Sequence, residues 1–317
     1  MDMSRNVTKR RQKPLSLTDA LTKNGLFIVA LISASFIVII AFFIAFYGVL
    51  PFITDNNGLG QVSLIRFLTG TTWLEGPTFV SVAYGAGFLV INTLFIVILS
   101  LFVSFPISIL CALFIAKIAP KNIAVIMRSI VELMASIPSI VYGLVGAGLL
   151  LPIIYFVATN LGFNSSGGNS TLGAVIVLAL MSIPTMTAIA ETSIRSVDPS
   201  LEQASLALGV SKMQTNFSVV LVAAKSGIFS GVILAVGRAL GEATAVALVI
   251  GNARSGPTLG LFQISSTITS TMLQGMKETT GIDYDIRFSL GLLLMAVIVL
   301  TNLLLNFVKR RVGRMDA

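Results

Sequence analysis

The sequence predicts an all-α integral membrane protein, a bundle of six transmembrane helices. Of its 317 residues 55% are apolar and 11% charged, with a mean hydropathy of +0.95, which excludes an ordinary soluble domain. Six apolar runs reach or exceed the roughly 20 residues that cross a bilayer. The lysines and arginines gather beside the ends of those runs, so the net charge of +8 reads as membrane topology and not as a nucleic-acid surface.

Residues 1–25 form a polar, basic segment (Arg5, Lys9, Arg10, Arg11, Lys13, Lys23) expected on the cytosolic side. The apolar run at 26–50, closed by Pro51, is the first span; it is too long for a signal-peptide core and reads as a retained anchor. A loop to about residue 87 holds a turn-like DNNG at 55–58 and Trp73, a candidate for the lipid interface. Span two covers about 88–119 with Pro106 inside it, and span three about 123–158, interrupted by Pro138. A Gly/Ser/Asn-rich loop then leads to span four at about 171–192, with Pro184 inside it. Span five rises to Gly251, a polar segment occupies about 252–285, and span six ends in Lys309, Arg310, Arg311 and Arg314. The transmembrane domain is thus 26–309, followed by a cytosolic tail at 310–317.

Charge tests this topology. The segments placed in the cytosol hold 16 lysines and arginines against four outside (Arg66, Arg254, Lys277, Arg287), the bias that sets orientation with both termini cytoplasmic. Arg238 is the one cation left within a span on this reading. Pro106, Pro138 and Pro184 each remove a backbone hydrogen bond, and are candidate helix breaks lining a moving core or, equally, static kinks. The sequence has no histidine, which excludes His-based metal sites and Ser-His-Asp chemistry, and its one cysteine, Cys111, can form no internal disulfide.

Within GIFSGVILAVGRALGEATAVALVIG at 227–251, an arginine at mid-membrane costs roughly 2.5–3.5 kcal/mol, so Arg238 is expected to face protein, water or substrate. At 100° per residue, Gly227, Gly231, Ala235, Arg238, Glu242 and Ala245 share one face of a helix, and small residues let backbones approach. The i,i+4 spacing of Arg238 and Glu242 allows a direct ion pair. Two further pairs at that spacing, Arg128 with Glu132 and Glu191 with Arg195, are expected to brace cytosolic helix ends. GNARSGPT at 251–258 has the outline of a P-loop, but Pro257 stands where the phosphate-reaching lysine belongs, so no nucleotide is expected there. The Ser/Thr-rich stretch near 263–272 fits either a surface helix or a re-entrant element.

The segment at about 193–216 is markedly less apolar. Asp198 and Pro199 suit the cap and first turn of a helix, Gly209 can end it, and a second short helix can resume from Ser211. Its dense Leu201, Ala204, Leu206, Ala207 and Leu208 fit a docking surface better than a solvated connector. This loop directly precedes span five, so one continuous element links it to Arg238.

The loop resembles the EAA motif of ABC-importer permeases. Gln203, Ala204 and Ser205 take the Glu-Ala-Ala places and Gly209 the glycine, with Glu202 one residue early and Val222 where the motif has proline. ASIPSIVYGLVG at 135–146, SIPTMTAIAETSIRSVDP at 182–199 and GRALGEATAVALVIGN at 237–252 together resemble phosphate ABC-transporter permeases. The long first external loop with GTTW at 70–73 is more like the C-type subunit. The resemblance implies a membrane-spanning subunit of an ATP-driven inorganic phosphate importer in a prokaryotic plasma membrane, working by alternating access. It further implies a second phosphate permease subunit, a dimer of ATP-binding subunits that hydrolyse the ATP, and an extracytoplasmic phosphate-binding protein. This chain would itself be no enzyme and bind no cofactor or nucleic acid, touching only those partners, phosphate and lipid. Arg238 and Glu242 match the motif residues associated with transport, and Glu202, Gln203, Ala204 and Gly209 the ATPase-coupling loop. Rival readings are an ABC permease for another oxyanion and a secondary anion transporter driven by an ion gradient.

Overall fold

The computed structural model describes residues 17–56, 60–75 and 83–314. Most of the basic N-terminal segment, part of the DNNG turn and the last residues of the tail lie outside these. The chain divides into two compact units, 1–46 and 47–317. The described part of the first unit is one apolar helix, α1 (Leu17–Ile53, which runs on into the second unit), whose side chains from 22 to 40 are all exposed. Ser35 hides its hydroxyl there by donating to the Leu31 carbonyl at 2.8 Å.

Among the described residues the second unit is mainly helical, with one short hairpin and irregular connections at about 161–170 and 248–267. After α2 (Leu64–Thr69), strands β1 (Trp73–Leu74) and β2 (Ala83–Tyr84) pair antiparallel, Trp73 opposite Tyr84. Then follow α3 (Gly87–Leu113), α4 (Lys121–Ser136), α5 (Ser139–Val145), α6 (Leu151–Asn160), α7 (Thr171–Arg195), α8 (Pro199–Ala207), α9 (Lys212–Thr215), α10 (Leu221–Gly241), α11 (Thr244–Ala247), α12 (Ile268–Leu273) and α13 (Ile282–Arg314). π-Helical turns at Phe114–Ile118, Gly146–Leu150 and Asn216–Val220 join α3 to its end, α5 to α6 and α9 to α10. Among the described residues, six helical stretches are long and apolar enough to cross a membrane: Thr22–Ile53, Gly87–Ile118, Ser139–Asn160, Thr171–Arg195, Lys212–Gly241 and Ile282–Arg311.

Four expectations about these elements change. Residues 121–136 form a separate amphipathic helix, so the third span begins only at Ser139. The fifth span begins at Lys212 and ends at Gly241, ten residues before Gly251. Pro138 does divide two helices, but α3 and α7 run unbroken through Pro106 and Pro184. A proline bends a helix without ending it where neighbours hold the flanks. Here Ser108 donates to the Ile183 carbonyl at 3.3 Å and Thr187 to the Ser108 carbonyl at 3.5 Å, stitching the two helices beside their prolines.

The core lies where α7 packs against α3 and α10: Ile96, Val97, Val177, Leu178, Met181, Val236 and Leu240 are buried together with Ala245, Val246 and Val249. One end of the bundle carries α4, α8, α9 and the basic terminus of α13; the other is closed by the hairpin and residues 251–281. At this capped end Gly70 and Gly85 meet backbone to backbone, and a Cβ on Gly70 would lie 2.6 Å from the Gly85 Cα. Trp73 is buried, not interfacial: it packs edge-on against Tyr84 (centroids 5.6 Å apart) and its Nε1 donates to Glu75 at 3.1 Å.

Arg287 also departs from expectation. Placed outside by sequence, it sits within the sixth span and is fully buried. Its Nη2 meets Glu75 Oε1 at 2.5 Å, Nη1 donates to the Thr271 carbonyl at 2.8 Å, and Nε to Thr279 Oγ1 at 3.2 Å. Nearby, Tyr84 donates to Asp283 at 2.5 Å, and burial followed by that carboxylate pushes its phenol pKa well up, so it remains a donor. The stretch near 263–272 is not a surface helix: Ile268, Thr269, Ser270 and Thr271 of α12 are buried, and Thr267 and Ser270 form a reciprocal capping box.

Candidate functional site: a polar helix break and a docking loop

The small-residue face of α10 does pack against protein. A Cβ at Gly231 would be 3.2 Å from the Ile189 side chain, Gly227 abuts Ser193, and Ala235 is fully buried. Arg238 lies farther along that face near the end of the helix, where it is exposed, and a Cβ on either flanking glycine, Gly237 or Gly241, would enter open space. Its Nη1 donates to Thr185 Oγ1 at 3.1 Å, one residue after Pro184. A guanidinium has five N–H donors, and Thr185 is its only hydrogen-bond partner among the described residues.

The expected Arg238–Glu242 ion pair does not form, because the helix stops between them. Gly241 is the last helical residue and Glu242 is extended (φ −75°, ψ 120°), which takes it off the helical face. Its Oε1 accepts from the Thr244 hydroxyl and the Ala245 N–H, both at 3.0 Å, capping the first turn of α11. Its carbonyl accepts from Thr269 of α12 at 2.7 Å. Thr244 in turn touches Ser139 Oγ at 3.1 Å, the first residue of α5 after Pro138. The close approach of these segments needs Gly143, where a Cβ would lie 2.8 Å from the Ala245 Cα. Pro138, Pro184 and the 238–242 motif, scattered in sequence, thus converge on one hydroxyl-rich break. The i,i+4 spacing carries no sign that the helix ends at Gly241, although glycine is a frequent helix terminator.

At the other end the loop at 193–216 forms as its punctuation indicates. Asp198 accepts from the Ser200 N–H at 2.9 Å with Pro199 beginning α8, and that contact, with the Ser200 hydroxyl, holds the Asp198 carboxyl below the usual range. Gly209 takes φ +79°, and Ser211 caps α9. Ser205 and Thr215 hydroxyls meet at 2.9 Å, pinning α8 to α9. Gln203, Ala204, Leu206 and Leu208 are exposed, whereas Glu202 turns inward to Lys117 at 2.5 Å.

Sequence spacing misjudged one more pair here. Glu191 is 5% exposed and takes both Arg195 Nε at 2.8 Å and, across helices, Arg128, which reaches it in preference to Glu132. Arg195 Nη2 also donates to the Ile115 carbonyl at 3.2 Å. That carbonyl has no helical donor: Ala119 is spent on Phe114, and Pro120 has no N–H.

Comparison with known proteins identifies the class. Residues 104–314 match the family of binding-protein-dependent transport system inner membrane components. A probable ABC transporter permease of Bacillus subtilis, YqgH, is 35% identical over 89% of this chain and 88% of its own length. Phosphate transport system permease proteins PstC of Pasteurella multocida (31% identical; 73% of this chain, 78% of the relative) and Mycobacterium tuberculosis (29%; 83% and 86%) are also similar. The chain therefore belongs to the ABC importer permeases, in the family that includes the phosphate permeases. A bacterial alginate ABC transporter solved with its alginate-bound periplasmic protein shares the fold at TM-score 0.61, with 16% identity over 93% of this chain and 98% of that one. The inward-facing MetNI methionine ABC transporter gives 0.55, with 18% identity over 71% and 94%.

Proposed function

We propose that this chain is the C-type permease subunit of an ATP-driven inorganic phosphate importer. One observation carries most weight: an arginine stands exposed at a broken helix end inside an apolar bundle, flanked by open space at two glycines. In lipid such a charge would be costly, so Arg238 faces a water-filled path or the subunit that completes it. Its planar donor fork suits phosphate oxygens. Glu242, tied to α11 and α12 and not to Arg238, holds the helix break in shape and leaves the guanidinium available. The similarity to PstC proteins supports phosphate as the cargo.

In this reading both termini are cytoplasmic and the loop at 193–216 faces a dimer of ATP-binding partners, with Gln203, Ala204 and Gly209 on the docking face and Glu202 anchoring it through Lys117. A second permease subunit completes the path, and an extracytoplasmic phosphate-binding protein delivers cargo at the capped end. ATP is used by the partner, and this chain binds no cofactor.

Reconstituted in liposomes with those partners, the complex is expected to take up labelled phosphate only when ATP is present with the ATPase subunits. Uptake without them sinks the ABC reading, and equal competition by sulfate or molybdate at matched concentration moves the cargo to another oxyanion. In the same system Gly209→Val is expected to sever coupling. A Cβ there meets open space, but the left-handed φ costs a side chain about 1–2 kcal/mol, enough to re-form the loop. Uptake should fall while ATP hydrolysis persists, and unchanged coupling would place the docking surface elsewhere.

A further inference from the structure

The P-loop-like segment 251–258 has no nucleotide role in this reading, yet the backbone around its exposed arginine is held from both sides. Arg254's carbonyl accepts from the Trp73 N–H at 2.8 Å, and Ser255 bridges to Thr72 in β-fashion. Ala253 donates to the Ser265 carbonyl at 2.9 Å and accepts from the Ser266 hydroxyl. Thr258 is clasped by Asn92, which accepts its N–H at 3.0 Å and donates to its hydroxyl at 3.3 Å. The backbone on both sides of Arg254 is therefore fixed.

Arg254 lines an open cavity of about 320 Å³ together with Asn164, Ser166, Ser255, Thr258 and Gln263. Among the described residues lining it there is one cation, a set of neutral hydrogen-bonding side chains and no carboxylate. The cavity is wide enough for a tetrahedral oxyanion that keeps part of its hydration. A second cavity of about 240 Å³ begins on the other side of Ala253 and Arg254 and reaches Ser266 and Thr271, beside α12, whose Thr269 holds the Glu242 carbonyl. Two carboxylates line this second cavity beside Arg254: Glu75, which is paired with Arg287, and Glu278.

We propose that this cavity is an oxyanion-receiving site at the capped end of the permease, with Arg254 as its cation. It takes the cargo before it reaches the helix break at Arg238. A single cation with neutral donors holds an anion weakly, as a transit site requires. The identity of the anion rests on the proposed phosphate function, but the site itself does not.

The test uses the assembled importer without its binding protein, carrying Ser255→Cys in a Cys111→Ser background, with Asn164→Cys as a second reporter should the first fail to fold. Labelling by a membrane-impermeant maleimide is expected to slow as inorganic phosphate is added, and not with chloride at equal ionic strength. Adding Arg254→Gln should raise the phosphate concentration for half-protection about tenfold, the loss expected of one charge-assisted contact. Equal protection by chloride, protection that survives Arg254→Gln, or protection that appears only when binding protein is added overturns the site; the last would assign the cavity to an acidic side chain of that protein. Protection by sulfate or molybdate in place of phosphate upholds the site and overturns the phosphate reading, which the uptake assay reports separately.

Discussion

An importer carrying Arg238→Gln is expected to assemble with its ATPase and to move phosphate about ten- to a hundredfold more slowly, the loss of one charge-assisted contact of about 1.5–3 kcal/mol. Assembly should survive because the side chain supports little else. It is exposed, its one hydrogen bond among the described residues goes to Thr185, and the core face of α10 is carried by Ala235, Val236, Ala239 and Leu240. Glutamine can still reach a hydroxyl but brings neither charge nor the planar fork. Arg238→Lys should fall between, restoring charge without bidentate geometry. Uptake and ATP hydrolysis measured on the same proteoliposomes separate the cases. Normal uptake by Arg238→Gln would reduce Arg238 to a structural role.

The second large effect is on stability. Glu75→Ala leaves Arg287 without its carboxylate, and Arg287 has no exposure at all. Removing one partner of a buried pair costs about 3–5 kcal/mol, because the other charge stays desolvated and unpaired. The loss also frees Trp73 Nε1 and loosens the hairpin that closes the capped end. Glu75→Gln, which keeps one acceptor oxygen where the carboxylate has two, should cost less than Glu75→Ala. The double replacement Glu75→Leu with Arg287→Met should recover part of the loss by leaving no buried charge. Thermal unfolding of the detergent-solubilised importer ranks the three; an unfolding temperature for Glu75→Ala equal to that of the unaltered chain refutes the argument.

These two sites mark the boundary of what the sequence discloses. Apolar run length announces six spans, because lipid admits few alternatives for a helix of that composition. Asp198-Pro199, Gly209 and Ser211 announce the two short helices of the loop at 193–216, because caps and left-handed turns are local events written in a few adjacent residues. Long-range pairing is not local. Glu75 and Arg287 lie 212 residues apart, and no periodicity links them. Spacing misled at Arg128–Glu132, where a buried acceptor on α7 outcompetes the nearer one, and at Arg238–Glu242, where an i,i+4 rule was applied across a helix end. The proline rule overreached as well: three prolines read alike, yet only Pro138 lies at a break, because hydroxyl bonds between α3 and α7 hold the other two within continuous helices. Of the candidate site, the residues were legible and the arrangement was not.

The unbroken run from Lys212 to Gly241 has a mechanical consequence. Thirty residues at about 1.5 Å each make a rod roughly 45 Å long, with the docking loop at its foot and Arg238 near its tip. Tilted about 10° around its midpoint, such a rod carries its two ends roughly 4 Å in opposite directions. The close seat of Gly227 and Gly231 on α7 is where a pivot would sit. A push at the foot and a withdrawal at the tip are then a single movement, as on a see-saw, and need no relay of side chains between them.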